Sequence, residues 1–278
     1  MRKDEPNEFQ DHKDSISSDA PDGEFNTVLR WLSDPARLRC AASAIRLAID
    51  WVIDGARTQR YRIEQLKASE KVYIGNRVEH EILHQWDLVK EPPLDTKILD
   101  VPVDIKFSLR TSWMIPPEAL DKLCIIVTAN DDTSTFSIGL FRAKPEHLRR
   151  PNRDRKFGIK KTGRSAISWV ARDAALPENF LLHLPEAART KILSHRTGRA
   201  RVTEMFRLVL NKPIPTTAID TLAVQRDPSK RIRKNGGAKD VLGPEGIEIL
   251  GWRYDKSRIK ALGLPPLEDD FWISVRKI

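Results

Sequence analysis

The chain has 278 residues, enough for two domains or one large one, and carries 48 Lys and Arg against 39 Asp and Glu for a net charge of +9. That balance favours polyanionic partners such as nucleic acid or an acidic membrane surface. Two cysteines, Cys40 and Cys124, exclude a disulfide framework and a cysteine-rich metal centre. No apolar run approaches a membrane span, and the acidic, polar N-terminus is not a signal peptide, so no membrane is expected and a reducing cytoplasm is the expected compartment.

Residues 1–24 are rich in Asp, Glu, Ser and Asn with almost no apolar anchors, the composition of a disordered tail. Apolar residues then recur at helical spacing through Val28, Leu32, Leu38, Ile45 and Val52. The spacing predicts a short helix and then a long one starting near Pro35 and closing at Asp54-Gly55. A further helix is expected from about Ile74 to Trp86. There Val78, Ile82, Leu83 and Trp86 form one apolar arc that includes Glu79, while Glu81 falls on the opposite side. An inward carboxylate needs a partner or a task.

Leu94 to Ile98 and Val101 to Leu109 read as adjacent strands. In the second, Val101, Val103, Ile105, Phe107 and Leu109 alternate with Asp104, Lys106, Ser108 and Arg110, which predicts one buried face and one open polar face. On that polar face Asp104 lies beside Lys106. Carboxylates from separate elements can hold Mg²⁺, and a neighbouring lysine can orient water or stabilise charge, which are the requirements of phosphodiester hydrolysis. Glu79 on its helix, Asp95 on the first strand, and Asp104 with Lys106 on the next meet those requirements together. Taken singly, each has a plainer role as a turn carboxylate or half of an ion pair. Cys124 to Thr128 and Thr135 to Phe141 complete an α/β sheet ending near residue 145.

The stretch 149–164 is dense in Arg and Lys, among them Arg149, Arg150, Arg153, Arg155 and Lys156, and reads as a basic connector able to follow a duplex. Beyond it lie an amphipathic helix from Arg199 to Leu210, a short helix from Thr216 to Val224, and a third starting at Asp227-Pro228. Strands are expected at Ile247 to Trp252 and Phe271 to Val275. Three helices and then a strand pair is the order of a winged helix-turn-helix. The third helix carries Lys230, Arg231, Arg233 and Lys234, and Arg199 and Arg201 open the first. These are the expected DNA-binding residues, with phosphates as the main targets.

His80-Glu-Ile-Leu-His84 matches the zinc-protease pattern of two histidines one turn apart. No third ligand follows at suitable spacing, so two solvent-facing histidines on an amphipathic helix is the preferred reading. Val52-Ile-Asp-Gly55 looks like a ligase adenylation motif whose lysine is replaced by a valine that cannot be adenylated.

The segments Asp54-Gly-Ala-Arg-Thr58, Val78-Glu79, Val103-Asp-Ile-Lys-Phe-Ser108, Trp113-Met-Ile-Pro-Pro-Glu-Ala119 and Asp227-Pro-Ser-Lys-Arg-Ile-Arg233 together resemble the NaeI-type restriction endonucleases, over nearly everything from about residue 25 onward. The resemblance implies an α/β restriction-endonuclease-like core, a mixed sheet flanked by helices, over 25–148. A basic linker would follow at 149–166 and a mainly α winged helix-turn-helix domain at 167–278. It implies a homodimer that cuts double-stranded DNA at a short palindrome with Mg²⁺, with a second DNA copy activating cleavage. It maps the catalytic acids and metal ligands onto Glu79, Asp95 and Asp104, and the catalytic lysine onto Lys106. The alternatives are a DNA-binding regulator with an inert nuclease core, a strand-nicking repair endonuclease and, least favoured, a zinc metalloprotease.

Overall fold

A computed structural model describes residues 22–277 other than Arg226, Pro265, Leu267 and Glu268. The expected tail, save its last three residues, lies outside the described residues. In chain order the first elements are α1 (Gly23–Leu32), α2 (Pro35–Ile53), α3 (Gly55–Thr58), α4 (Ala68–Gln85), β1 (Thr96–Ile98), β2 (Val101–Ser108), β3 (Met114–Ile115), β4 (Leu123–Asn130) and β5 (Thr135–Arg142). Then come β6 (Leu148–Pro151), β7 (Phe157–Ile159), β8 (Ser168–Ala175), α5 (Glu186–Ser194), α6 (Gly198–Leu208), β9 (Ile214–Pro215), α7 (Thr216–Ala223), α8 (Ala238–Leu242), β10 (Ile247–Gly251), α9 (Trp252–Ala261) and β11 (Phe271–Arg276). The chain forms two units, one of residues 22–52 and 67–178, the other of 53–66 and 179–277.

The first unit is a mixed sheet flanked by helices, in the order β1-β2-β4-β5-β8. Strands β2 and β4 run parallel and the other pairs antiparallel. The Leu123–Val127 run of β4 is buried without a break, as a central strand covered on both faces requires. A smaller sheet, β3-β7-β6, packs Ile115, Leu148 and Ile159 with Trp113 onto Cys124, Ile126 and Phe141. Helix α4 starts earlier than its apolar spacing suggests, because the Glu70 carboxylate accepts the Lys67 backbone N–H at 2.8 Å and so caps the new first turn.

The first unit also runs further than the expected end at residue 148. The basic run 149–166 is no free connector. Leu148, Ile159 and Ile167 anchor it in the core, and β8 then pairs with β5 to complete the main sheet. A Cβ on Gly139 would meet the Ser168 backbone oxygen at 2.8 Å, so the close approach of these two strands needs glycine there.

The second unit builds its core from α6 and α7 (Val202, Met205, Phe206, Ile219, Leu222) against Leu242 and Ile249. Its sheet has the order β10-β11-β9. Where a third helix was expected from Asp227, there is a single 3-10 turn over Pro228–Arg231, and helix resumes only at α8. Gly236, at φ 103°, and Gly237 separate the two. Helix α9 lies between the two expected strands, and the short β9 occupies the proline segment read only as a helix breaker.

Buried Arg46 on α2 donates to the Asp131 carboxylate, just past β4, and to Asp50 at 2.6 Å. Arg46→Ala leaves the buried Asp131 carboxylate without its guanidinium and is expected to destabilise the protein by about 3–5 kcal/mol, read as a lower urea midpoint.

Candidate active site

Strand β2 supplies the centre. Val103 and Ile105 are fully buried on one face, so Asp104 and Lys106 share the other. That face is not open as the alternation suggested. Asp104 and Lys106 register with Cys124 and Ile126 of β4, the residues the small sheet covers. Asp104 is consequently only 3% exposed.

Asp95 sits one residue ahead of β1, and its Oδ2 accepts the Ile105 backbone N–H at 2.8 Å, which ties the loop to β2. The Lys106 ammonium donates to Asp104 Oδ1 at 2.9 Å and to the Ile105 carbonyl at 2.9 Å, and lies 3.5 Å from Asp95 Oδ2. Glu79 of α4 neighbours Asp95, and Asp95 neighbours Asp104, closely enough for each carboxyl to act on the next. The three acids and the lysine expected from sequence are therefore brought together.

Glu79 is half-buried, and Glu81 is the more buried of the two glutamates on α4, opposite to the expectation. An ion pair with Arg77, one turn earlier, accommodates Glu81.

Sequence reasoning missed Lys90. Its exposed ammonium lies 3.1 Å from Glu79 Oε1 and 3.8 Å from Asp95 Oδ1. It sits in an aperiodic loop, so no pattern points to it. Asn76, Glu79, His80, His84, Lys90 and Asp95 line one cleft of about 610 Å³. Both histidines are exposed on its wall.

Burial and the adjacent Asp95 charge push the Asp104 carboxyl up to about 7 against the pull of Lys106. Burial and Asp95 raise Glu79 too. Burial also acts to raise Asp95, but the Lys106 charge and the hydrogen bonds from Asp104 and the Ile105 N–H outweigh it and hold Asp95 below the ordinary value. Burial disfavours the Lys106 cation, yet Asp104 and Asp95 more than offset this and raise its pKa. Of these acids Asp95 gives up its proton most readily and Asp104 and Glu79 less readily, while Lys106 holds its proton more tightly than an ordinary lysine.

Among the described residues no three His, Cys, Asp or Glu side chains are set around one point as a metal requires. The two ammonium groups stand between the acids instead. The donor chemistry still suits a hard divalent cation. The ligands are all carboxylate oxygens, Asp104 Oδ2 is buried without a hydrogen-bond partner, and the crowding that raises Glu79 and Asp104 is what a dication relieves.

In the second unit Arg199, Lys230, Arg233 and Lys234 are exposed. Arg201 is committed within its own unit, donating to the His195 carbonyl at 2.8 Å and Gln59 Oε1 at 2.6 Å. Arg231 is half-buried with an unpartnered Nε. Arg233 lies 3.0 Å from the Ser229 hydroxyl.

A carboxyl whose folded pKa is raised favours the folded state in its protonated form. Its contribution is full below the ordinary value of 3.8 and is lost as pH rises through about 7. Asp104→Asn should therefore gain melting temperature relative to the unmodified protein, in EDTA, on going from about pH 5 to about pH 8. Equal differences at both pH values would contradict the raised pKa.

The family model for restriction endonuclease NaeI matches residues 27–278. The chain is also 36% identical over 233 residues, 81% of its length and 74% of the relative's, to the type II restriction enzyme NaeI of Lentzea aerocolonigenes. With the acidic cluster and its lysine on a mixed α/β sheet, these matches establish that the chain belongs to the NaeI restriction endonuclease family.

Proposed function

We propose that this restriction endonuclease cuts both strands of a short DNA palindrome in a Mg²⁺-dependent reaction at Glu79, Asp95, Asp104 and Lys106. The run of neighbouring carboxyls Glu79, Asp95 and Asp104, with Lys106 held between the two aspartates, carries the reading. Glu79, Asp95 and Asp104 would hold the metal. When bound, it would supply Lewis acidity toward the scissile phosphate and lower the pKa of water there.

Lys106 is held by Asp104, the Ile105 carbonyl and Asp95, so its position is set before substrate arrives. Its raised pKa keeps the proton on Nζ, so it donates rather than abstracts: it orients water or neutralises charge growing on phosphate oxygens. Asp95, ionised and fixed by the Ile105 N–H, is the steadiest acceptor of the set. Asp104, buried behind Lys106, gives up its proton when more positive charge arrives.

A palindromic substrate calls for two copies of the active site in opposite senses, hence a two-fold homodimer. We assign the second unit the role of a winged helix-turn-helix module binding a second DNA copy. Arg199, Lys230, Arg233 and Lys234 contact phosphates, with Arg231 swinging out to join them. Arg201 serves mainly to hold that unit together. Two free thiols, Cys40 and Cys124, suit the cytoplasm.

Plasmid DNA incubated with Mg²⁺ should yield fragments with one defined end sequence, and EDTA should abolish them. Lys106→Ala should slow cleavage by about 100-fold or more while leaving duplex binding nearly unchanged. Cleavage at the unmodified rate would remove Lys106 from the mechanism. If the second unit takes a second copy, adding a short duplex with the site should accelerate cutting of a one-site plasmid. An unaltered rate would leave an endonuclease that works on one copy at a time.

A further inference from the structure

The strongest unassigned feature of the first unit is its hairpin of β6 and β7. Residues 149–156 contain five cations, Arg149, Arg150, Arg153, Arg155 and Lys156, against one acid, Asp154. All five cations are exposed, and none forms an ion pair among the described residues. Such a density of like charge on a small surface is unfavourable unless a polyanion meets it.

The hairpin is also held in shape. The Asn152 side-chain oxygen accepts the backbone N–H groups of Asp154 and Lys156, each at 2.9 Å. The Asn152 N–H reaches the Lys156 carbonyl at 2.9 Å, and Arg155 turns the chain at φ 59°. At its base, Leu148 and Ile159 are paired across the strands and buried. The cations therefore sit on a preorganised ribbon, which loses less entropy on binding than a floppy basic tail.

Its placement gives it a target. The small sheet containing the hairpin packs on Cys124 and Ile126, and these residues register with Asp104 and Lys106 on the same face of the main sheet. The hairpin thus rises from the layer that covers the catalytic face.

We propose that the β6–β7 hairpin is a DNA-gripping arm of the catalytic unit, clasping the duplex that is to be cut through its phosphates. A two-stranded ribbon fits the width of a major groove, and its arginines can bridge the flanking backbones. This rests on the endonuclease reading and adds a surface separate from the basic cluster of the second unit.

The test uses the full chain in EDTA and a 30-bp duplex carrying the cleavage site read from fragment ends. Arg149, Arg150 and Arg153 are each changed to Gln together, and the Arg→Lys triple serves as a control for charge. The Gln triple should bind more weakly. The slope of log affinity against log salt should become shallower by about 2–3 units, the Lys triple keeping nearly the unmodified slope. With Mg²⁺, the Gln triple should raise KM for a one-site plasmid more than it lowers kcat. Unchanged affinity, slope and KM in a Gln triple that melts at the unmodified temperature overturn the arm while leaving the endonuclease intact. Failure of the unmodified protein to bind or cut any duplex would overturn the underlying reading as well.

Discussion

The hydrogen bond from the Lys106 ammonium to Asp104 is the contact on which the candidate site depends. A lysine two residues from an acid on a strand is ordinary at a surface, where water screens both charges and the pair contributes little. Here the acid lies beneath a second layer of structure and the amine donates directly to its oxygen. Screening is weak in such a setting, so each charge shifts its neighbours: Lys106 holds its proton, Asp95 loses its own, and Asp104 and Glu79 are driven toward neutrality.

The burial comes from topology. Strands β2 and β4 are parallel, so the chain must cross from one end of the sheet to the other between them. It does so through β3, which then recruits β7 and β6 as a small second sheet. That crossover brings Trp113 and Ile115 over Cys124 and Ile126, and turns a polar strand face into a recessed one. Helix α4 approaches along β2 and lends Glu79. Four candidate groups from three segments meet there, and the crossover supplies the cover that recesses Asp104.

The site was largely legible from sequence because its signals are local. Period-two alternation in β2 gives Asp104 and Lys106, and helical spacing in α4 gives Glu79. The alternation could not reveal that the polar face is covered, because that depends on residues 113–167, a long way along the chain. Lys90 was hidden for the same reason: nothing in its neighbourhood is periodic, and only the fold brings it to Glu79. The burial of Glu81 is not legible in the apolar arc, because an i,i+4 arginine can carry a buried acid that the arc excludes. Strand β8 escaped notice because most of it is at least partly exposed at the sheet edge. The run 149–166 reads as a linker because its charge outweighs Leu148, Ile159 and Ile167, the few apolar residues that fix it. In the second unit, Gly236 and Gly237 divide what proline-capped helix signals had joined.

Charge counts taken along the chain do not say which cations remain available, and the fold separates them. Arg46, Arg77, Arg201 and Arg207 are engaged with carboxylates, a carbonyl or an amide of their own unit. A net charge of +9 therefore hides an asymmetry: Arg46, Arg77 and Arg207 neutralise acids in place, while the hairpin and the Lys230–Lys234 segment are dense in cations. The acidic cluster is the complement of those surfaces. An isolated recess of carboxylates repels phosphate, and a duplex approaches it only if cations elsewhere on the same protein supply the attraction. On the proposed reading, an acidic centre needs basic surfaces outside it to attract a polyanion, and the first unit carries both an acidic cluster and an exposed basic hairpin within its own boundaries.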